Sequence, residues 1–302
     1  MNDMRLRSQL WLLVAATLAP MAGVAVYATQ QLVAEERAAM ERDTIGRARA
    51  AMSAVDAHLR GSIVSLETLA ASKHLESGDI AAFHAESQRV LRTQPGWANI
   101  GLSSADRKLL SNAVYAFSKP EPLPSVDEPS YERALRSGKA VVGDVAAGTA
   151  VRSPTVRVRM PVSYGDEVRY VISTPLNLKP LSDLLQAQRL PEEGAIGLVD
   201  RERRMIVRVP PVAANLPASD ALREALDRAP EGWFRGRTRE GRQTYTAYVT
   251  SELSGWTLGL ALPAAMVEAG ERRTFSLLAL GAVLAAAIGV MLASLIARRE
   301  PR

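Results

Sequence analysis

The chain has 302 residues, 47% of them hydrophobic and 23% charged, a length that accommodates roughly two domains of ordinary size with the apolar excess gathered at the two ends. No cysteine is present, which excludes a disulfide framework, thiolate metal sites and a cysteine nucleophile and suits either side of a bacterial inner membrane. The net charge of +5 arises from 37 basic and 32 acidic residues, and the locally basic stretches at Arg201–Arg204 and Arg235–Arg242 read as solvated turns, because a nucleic-acid surface needs basic side chains on one face with stacking aromatics nearby.

Ser8 to Ala34 carries no charge, and a helix of about 20 apolar residues spans a bilayer core. A second uncharged stretch runs from Thr274 to Ala297. Arg5 and Arg7 before the first, with Arg298 and Arg299 after the second, put both termini in the cytoplasm; Arg272 and Arg273 lie on the other side. Residues 35–273 are then extracytoplasmic. A cleaved signal peptide ending near Val26-Tyr27-Ala28 is the competing reading of the first stretch, whose length exceeds the usual signal core of roughly 7–15 residues. Small residues recur every fourth position, at Ala15, Ala19 and Gly23 and at Gly281, Ala285, Gly289, Ala293 and Ala297. Such ridges let helices approach closely in lipid.

Glu35 to about Ser72 has no proline and only two glycines, and reads as one long helix. Ile45, Met52, Leu59 and Leu66, offset by Ala48, Val55, Ser62 and Leu69, form an a/d seam. The seam suits either a dimer interface or packing on the chain's own sheet. After Pro95 short strands and turns take over. Ile100-Gly101-Leu102-Ser103-Ser104-Ala105-Asp106-Arg107-Lys108-Leu109-Leu110 aligns without gaps on Ile196-Gly197-Leu198-Val199-Asp200-Arg201-Glu202-Arg203-Arg204-Met205-Ile206. Each copy is a hairpin pattern, followed by a short helix at Tyr131–Ser137 or Ser219–Ala229. Further strands are expected at Pro154–Ser163, Val168–Leu176, Gly232–Thr238, Gln243–Thr250 and Trp256–Leu262, a joining helix at Asn177–Gln188, and a proline-rich loop at 118–130.

No catalytic set emerges. His58, His74 and His84 all lie in the helical N-terminal part, metal binding would need convergent ligands, no glycine-rich phosphate loop occurs, and Gly165-Asp166-Glu167 reads as a hairpin turn. The chain is expected to be no enzyme and to carry no cofactor and no metal. Period-two alternation turns Ala98, Ile100 and Leu102 toward the long helix and Trp97, Asn99 and Gly101 toward the loops. In the next strand Val156, Val158, Met160 and Val162 alternate with Arg157 and Arg159. Two arginines on one sheet face suit a carboxylate or other anion, which a guanidinium binds bidentately; alternatively they face water, as on any half-exposed sheet. Tyr131, Asp144 and Tyr170 are candidates to complete the site.

Asn99-Ile100-Gly101-Leu102 and the segment Tyr131-Glu132-Arg133-Ala134 to Gly138-Lys139-Ala140-Val141-Val142 resemble the distal unit of the double Cache family of bacterial extracytoplasmic sensors. Pro230-Glu231-Gly232-Trp233-Phe234 to Tyr245-Thr246-Ala247-Tyr248, then Leu253-Ser254-Gly255-Trp256-Thr257, resemble the proximal unit of sensors that precede histidine kinases. The resemblance implies an α+β fold in which a long stalk helix carries two tandem PAS-like units with antiparallel sheets, between two transmembrane helices. The expected organisation is a cytoplasmic N-terminus (1–9), transmembrane helix 1 (10–33), stalk helix (34–73), membrane-distal unit (74–176), connecting helix (177–190), membrane-proximal unit (191–265), transmembrane helix 2 with its lead-in (266–297) and a cytoplasmic tail (298–302). Such sensors usually continue into a kinase, chemoreceptor or cyclase module, whereas this sequence stops five residues after the second span. The resemblance implies a two-pass inner-membrane sensor of a two-component type of system, binding a small molecule, an anion or organic acid, and working as a homodimer with a separate signalling partner. A ligand-independent dimerisation or partner-binding subunit, or the sensor fragment of a truncated histidine kinase, chemoreceptor or diguanylate cyclase, is the alternative. Pro95 stands where amino-acid-binding members carry an arginine, with Arg92 out of register, so the resemblance implies no particular ligand.

Overall fold

The computed structural model describes residues 2–122, 124, 127–147, 154–165, 167–270 and positions 276, 279–281, 283–285, 287–289 and 291. The chain divides into one unit of residues 1–43 and 264–302 and another of residues 44–263. In chain order the elements are α1 (Asn2–Ala70), α2 (Lys73–Glu76), α3 (Ile80–Thr93), β1 (Gly101–Ser104), β2 (Lys108–Asn112), β3 (Glu121–Pro122), α4 (Glu128–Ser137), β4 (Val141–Val142), β5 (Ala146–Ala147), β6 (Pro154–Tyr164), β7 (Glu167–Leu176), α5 (Lys179–Gln186), β8 (Ala195–Val199), β9 (Met205–Val209), α6 (Asp220–Leu226), β10 (Glu231–Arg237), β11 (Gln243–Thr250), β12 (Thr257–Pro263) and α7 (Ala264–Val267). The fold is α+β, with a long N-terminal helix and two antiparallel sheets. The first sheet has the order β3-β2-β1-β7-β6-β4, with β5 also on β6, and the second β10-β11-β12-β8-β9.

Both sheets lie in the 44–263 unit, and the core explains the long helix. Met52, Val55, Leu59, Ser62, Leu66 and Leu69 of α1 are buried within the single chain. The heptad-like seam is therefore spent on the chain's own sheets. Among the described residues no helix is long and apolar enough to cross a membrane. Much of the expected second span falls outside the described residues, as do the side chains of 1–19, 21 and 22 in the expected first span, and with them Ala15, Ala19, Ala293 and Ala297 of the small-residue ridges.

The internal repeat is structural as well as sequential. Both hairpins carry a register shift at the equivalent place, between Leu102 and Ser103 and between Leu198 and Val199. Both turns place an arginine in the left-handed region, Arg107 at φ 65° and Arg203 at φ 60°. A bulge adds one residue to one strand and strengthens the local twist, so a shared bulge gives the two hairpins the same shape.

Four of the short helices, α2, α3, α4 and α6, start where side chains cap them. Asp127 accepts from the backbone N–H of Ser130, and Pro129 occupies the first turn, where its missing N–H costs nothing. α4 therefore begins at Glu128, three residues before the sequence expectation, and shortens the loop expected over 118–130. Gly138, at φ 60°, closes it in the left-handed conformation open to glycine. Ser219 caps α6 in the same way, accepting from Leu222 N–H.

Candidate functional site

Cross-strand register sorts the first sheet into two faces, because directly paired residues share a side. Met160 pairs with Ile172, Val162 with Tyr170, and Leu102 with Ile172 and Ser111. This face meets the helices: Trp97 donates from Nε1 to Ser62 Oγ on α1 at 3.1 Å, and His84 Nδ1 on α3 lies 2.9 Å from Ser111 Oγ. On the other face Arg159 pairs with Ser173, which pairs with Gly101; Arg157 opposes Pro175. α4 covers this second face.

Three expectations change here. Trp97 faces the stalk helix, not the loops. Its isolated bridge to Leu176 is one residue out of step with the Gly101–Ser173 pairing, and a slip of one residue reverses the side on which every residue points. Ala98 is correspondingly exposed. Tyr170, paired with Val162, lies on the helix-facing side and is on the opposite face from the arginines; its ring meets Tyr164 edge-on, with centroids 6.5 Å apart. Arg157 and Arg159 do not face water. They are 8% and 4% exposed, because α4 lies over them.

Arg159 is held on several sides. Its Nε donates to Ser130 Oγ at 2.6 Å, Nη1 to Ser173 Oγ at 3.0 Å and Nη2 to the carbonyl of Asp127 at 3.1 Å. Its guanidinium carbon also lies 5.3 Å from the centre of the Tyr131 ring. The Tyr131 hydroxyl accepts from Ser103 Oγ and donates to the carbonyl of Ser104 at 2.7 Å, so it fastens α4 to β1. Arg157 is different. Its Nη1 is buried with no hydrogen-bond partner among the described residues, a costly state for a charged donor. Asn99 is half-buried, its side-chain oxygen accepting from the N–H of Ile100.

The electrostatics match this crowding. Burial pushes the Arg159 guanidinium down to about 10, against the opposing pull of Asp127. Burial also lowers Arg157. The Asp127 carboxyl is raised, chiefly by burial, although Ser130 and Arg159 pull it the other way. Arg157, Arg159 and Asp127 leave one net positive charge in a desolvated place, which an anion would offset.

Asp144 sits at the edge of this group and turns toward the second sheet. It pairs with Arg133 at 3.1 Å and with Arg201 at 3.0 Å. Around it, the 142–145 strap is tied to the second sheet at three further points. Arg201 Nη2 donates to the carbonyl of Val142 at 2.9 Å, Trp256 Nε1 to that of Gly143 at 3.1 Å, and Val145 N–H to Asp200 at 2.9 Å. On its other side Gly143 bonds from its N–H to the carbonyl of Arg157 at 2.7 Å. A Cβ on Gly143 would lie 2.1 Å from an oxygen of Asp127. The strap thus touches the arginine site on one side and the second sheet on the other.

The structure brings together Tyr131, Asp144, Arg157 and Arg159 from the sequence-derived set, with Asp127, Ser103, Ser130, Ser173 and Gly143 added. Trp97 and Tyr170 lie on the far face. Asp127-Glu128-Pro129-Ser130, a capping residue followed by proline, is a helix-start signal that marks Asp127 in the sequence. Part of the segment beside the site, residues 123, 125, 126 and 148–153, lies outside the described residues. No group of three or more potential metal-binding side chains converges among the described residues.

No protein-family model matches the sequence, and no curated protein matches it. Solved structures do resemble the fold. The extracellular domain of rpHK1S-Z16, described as a histidine kinase, aligns with a TM-score of 0.65 at 16% identity, over 76% of this chain and 97% of that one. The ligand-binding domain of the Campylobacter jejuni chemoreceptor Tlp3, in complex with L-valine, aligns at 0.57 and 13% identity, over 78% and 97%. That of the Pseudomonas aeruginosa PAO1 amino acid chemoreceptor PctB, in complex with L-arginine, aligns at 0.55 and 16%, over 75% and 96%. These neighbours are sensor domains, not enzymes. The chain therefore has the fold of the extracellular sensor domains of histidine kinases and chemoreceptors, in agreement with the double Cache resemblance read from its sequence.

Proposed function

We propose that this chain is a two-pass inner-membrane sensor whose residues 35–273 lie outside the cytoplasm and bind a small organic anion in the distal unit, residues 74–176. The observation that carries the proposal is Arg157: a buried guanidinium nitrogen without a partner among the described residues, two residues from Arg159 and under α4. A ligand carboxylate supplies the missing acceptors in the paired geometry that a guanidinium favours. Tlp3 and PctB were solved with amino acids. Asp127 beside the arginines gives an amino group a counter-charge, so α-amino acids belong among the candidates along with simple organic acids.

Signal transfer follows from the strap. A ligand can shift the protein only by binding one arrangement better than another. An anion drawn onto Arg157 alters the strand whose carbonyl holds Gly143. The strap then carries that change to Arg201 and Trp256 in the proximal unit, residues 191–265, which leads into the second span.

The test is a thermal-shift screen of the full chain in detergent micelles against organic acids, amino acids, amines and purines. A ligand of the folded state raises the melting temperature by mass action. A carboxylate that stabilises the wild type and loses its effect in Arg157→Met is the expected result. Silence across all carboxylates, or a hit untouched in both Arg157→Met and Arg159→Met, overturns the proposal.

A further inference from the structure

The second sheet holds a cavity of about 70 Å3 that the arginine site does not explain. Its origin is a floor of small residues. Gly197 pairs directly with Gly259, and Ala195 with Ala261. Thr244 and Thr246 lie on the same side of the neighbouring strand, since Thr246 opposes Ala261. α6 lies above, with Leu222 at the roof: a Cβ on Gly259 would find the Leu222 side chain 3.8 Å away. Large residues at these floor positions would fill the space, as Ile196, Leu198, Leu258 and Leu260 do on the other face.

The lining is mostly apolar, and its charged residues are of one sign. Thr244 and Thr246 are buried, and their hydroxyls share one long contact of 3.5 Å. Buried hydroxyls ordinarily make at least one good hydrogen bond. Arg208, Arg237 and Arg239 are the charged residues of the lining. Arg208 is buried, its Nη1 and Nη2 donating to Glu240 at 2.8 and 3.0 Å and its Nη1 also to the carbonyl of Pro210 at 3.3 Å. Those bonds use three of the five N–H groups of a guanidinium and leave two with no bond to the described residues.

We infer that this cavity is a second anion site, built to take a short monocarboxylate on Arg208 and the two threonine hydroxyls. At roughly 10–15 Å3 per water-sized group, the space of about 70 Å3 holds about five to seven heavy atoms, enough for acetate, propionate or pyruvate. The site is independent of the arginine pair in the first sheet and stands whether or not that pair binds a ligand.

The experiment uses the full chain in detergent micelles in the Arg157→Met background, so that the first site does not contribute. Acetate, propionate and pyruvate are titrated while the melting temperature is followed, with chloride at matched ionic strength as control. At least one carboxylate is expected to raise the melting temperature above the chloride control. Adding Thr246→Val, which removes a hydroxyl at constant shape, or Gly259→Ala, which places a methyl in the cavity at ordinary contact distance, is expected to raise the half-effect concentration tenfold or more. Both variants must first melt cooperatively without ligand. No shift with any of the three anions, or a shift that both variants keep, overturns the inference.

Discussion

Replacing Gly143 with alanine tests the junction between the arginine site and the second sheet. Gly143 does not occupy the left-handed region, so alanine brings no backbone strain; its whole effect is contact. The new methyl would lie 2.1 Å from Asp127 Oδ2 and 3.1 Å from the carbonyl of Arg157. The carboxylate, as the softer neighbour, must retreat by more than an ångström. In doing so Asp127 gives up its cap on Ser130 N–H and its bond from Ser130 Oγ at 2.5 Å. A lost N-cap costs about 1 kcal/mol and a hydrogen bond about 1 kcal/mol more. For a domain of 150–250 residues each kcal/mol lowers the melting temperature by about 2–4 °C, so a fall of roughly 4–8 °C is expected. The assay is thermal unfolding of the full chain in micelles, repeated in an Asp127→Ser background, where the shorter side chain clears the methyl. Alanine should cost at least about 1 kcal/mol less there, a coupling of the size neighbouring residues show. An equal cost in both backgrounds, or none in either, refutes the proposed contact.

Trp256→Phe keeps most of the ring volume but leaves the Gly143 carbonyl without its donor; a loss of about 1–3 kcal/mol is expected in urea unfolding, and a neutral outcome removes this tie between the sheets. Arg157→Met and Arg159→Met should differ in sign. Arg157→Met removes a buried donor with no partner among the described residues and should raise ligand-free stability, whereas Arg159→Met strips three bonds and should lower it by about 2–4 kcal/mol; equal destabilisation by both contradicts the assignment. The raised Asp127 carboxyl means that the folded state holds this proton more tightly than the unfolded chain does. Its contribution to stability is therefore present at low pH and is lost as pH rises through the raised value. An anion bound nearby raises that carboxyl further, so affinity for a simple carboxylate should strengthen from pH 8 to pH 5. A ligand whose amino group pairs with Asp127 should weaken over the same range, and a flat profile for both places Asp127 outside the site.

The sequence carried the fold well because the signals were periodic or repeated. Eleven residues from Ile100 align with eleven from Ile196, and the structure extends the match to an identical bulge and an identical left-handed arginine. The alternation of Val156, Arg157, Val158 and Arg159 divided β6 correctly into two faces. It failed for Trp97 because the chain slips by one residue between the Trp97–Leu176 bridge and the Gly101–Ser173 pair, and no residue type there announces the slip. Tyr170 was placed with the arginines by residue type alone, while its face is set by pairing with Val162 on another strand. The burial of Arg157 and Arg159 was equally beyond local pattern. It depends on α4 crossing above them, which is a matter of tertiary packing.

The repeat also separates the roles of the two arginines. One row of paired residues crosses the first sheet as Asn112, Gly101, Ser173, Arg159 and Val141. The corresponding row of the second sheet is Arg208, Gly197, Gly259, Tyr248 and Gly232. Arg159 and Tyr248 hold the same position, and both reach upward to the helix that covers their sheet: Arg159 Nε to Ser130 Oγ on α4, Tyr248 hydroxyl to the carbonyl of Ala225 on α6 at 3.1 Å. A long polar side chain at this point is how each unit fastens its roof, whatever lies beneath. Arg157 has no such duty. Its counterpart one row along is Thr246, since Arg157 opposes Pro175 and Thr246 opposes Ala261, two residues beyond Ser173 and Gly259. In both sheets that position presents a buried polar group with poor internal partners under the roof. The common scaffold therefore divides adjacent rows, one holding the helix in place and the next leaving hydrogen-bonding capacity on which both proposed sites draw.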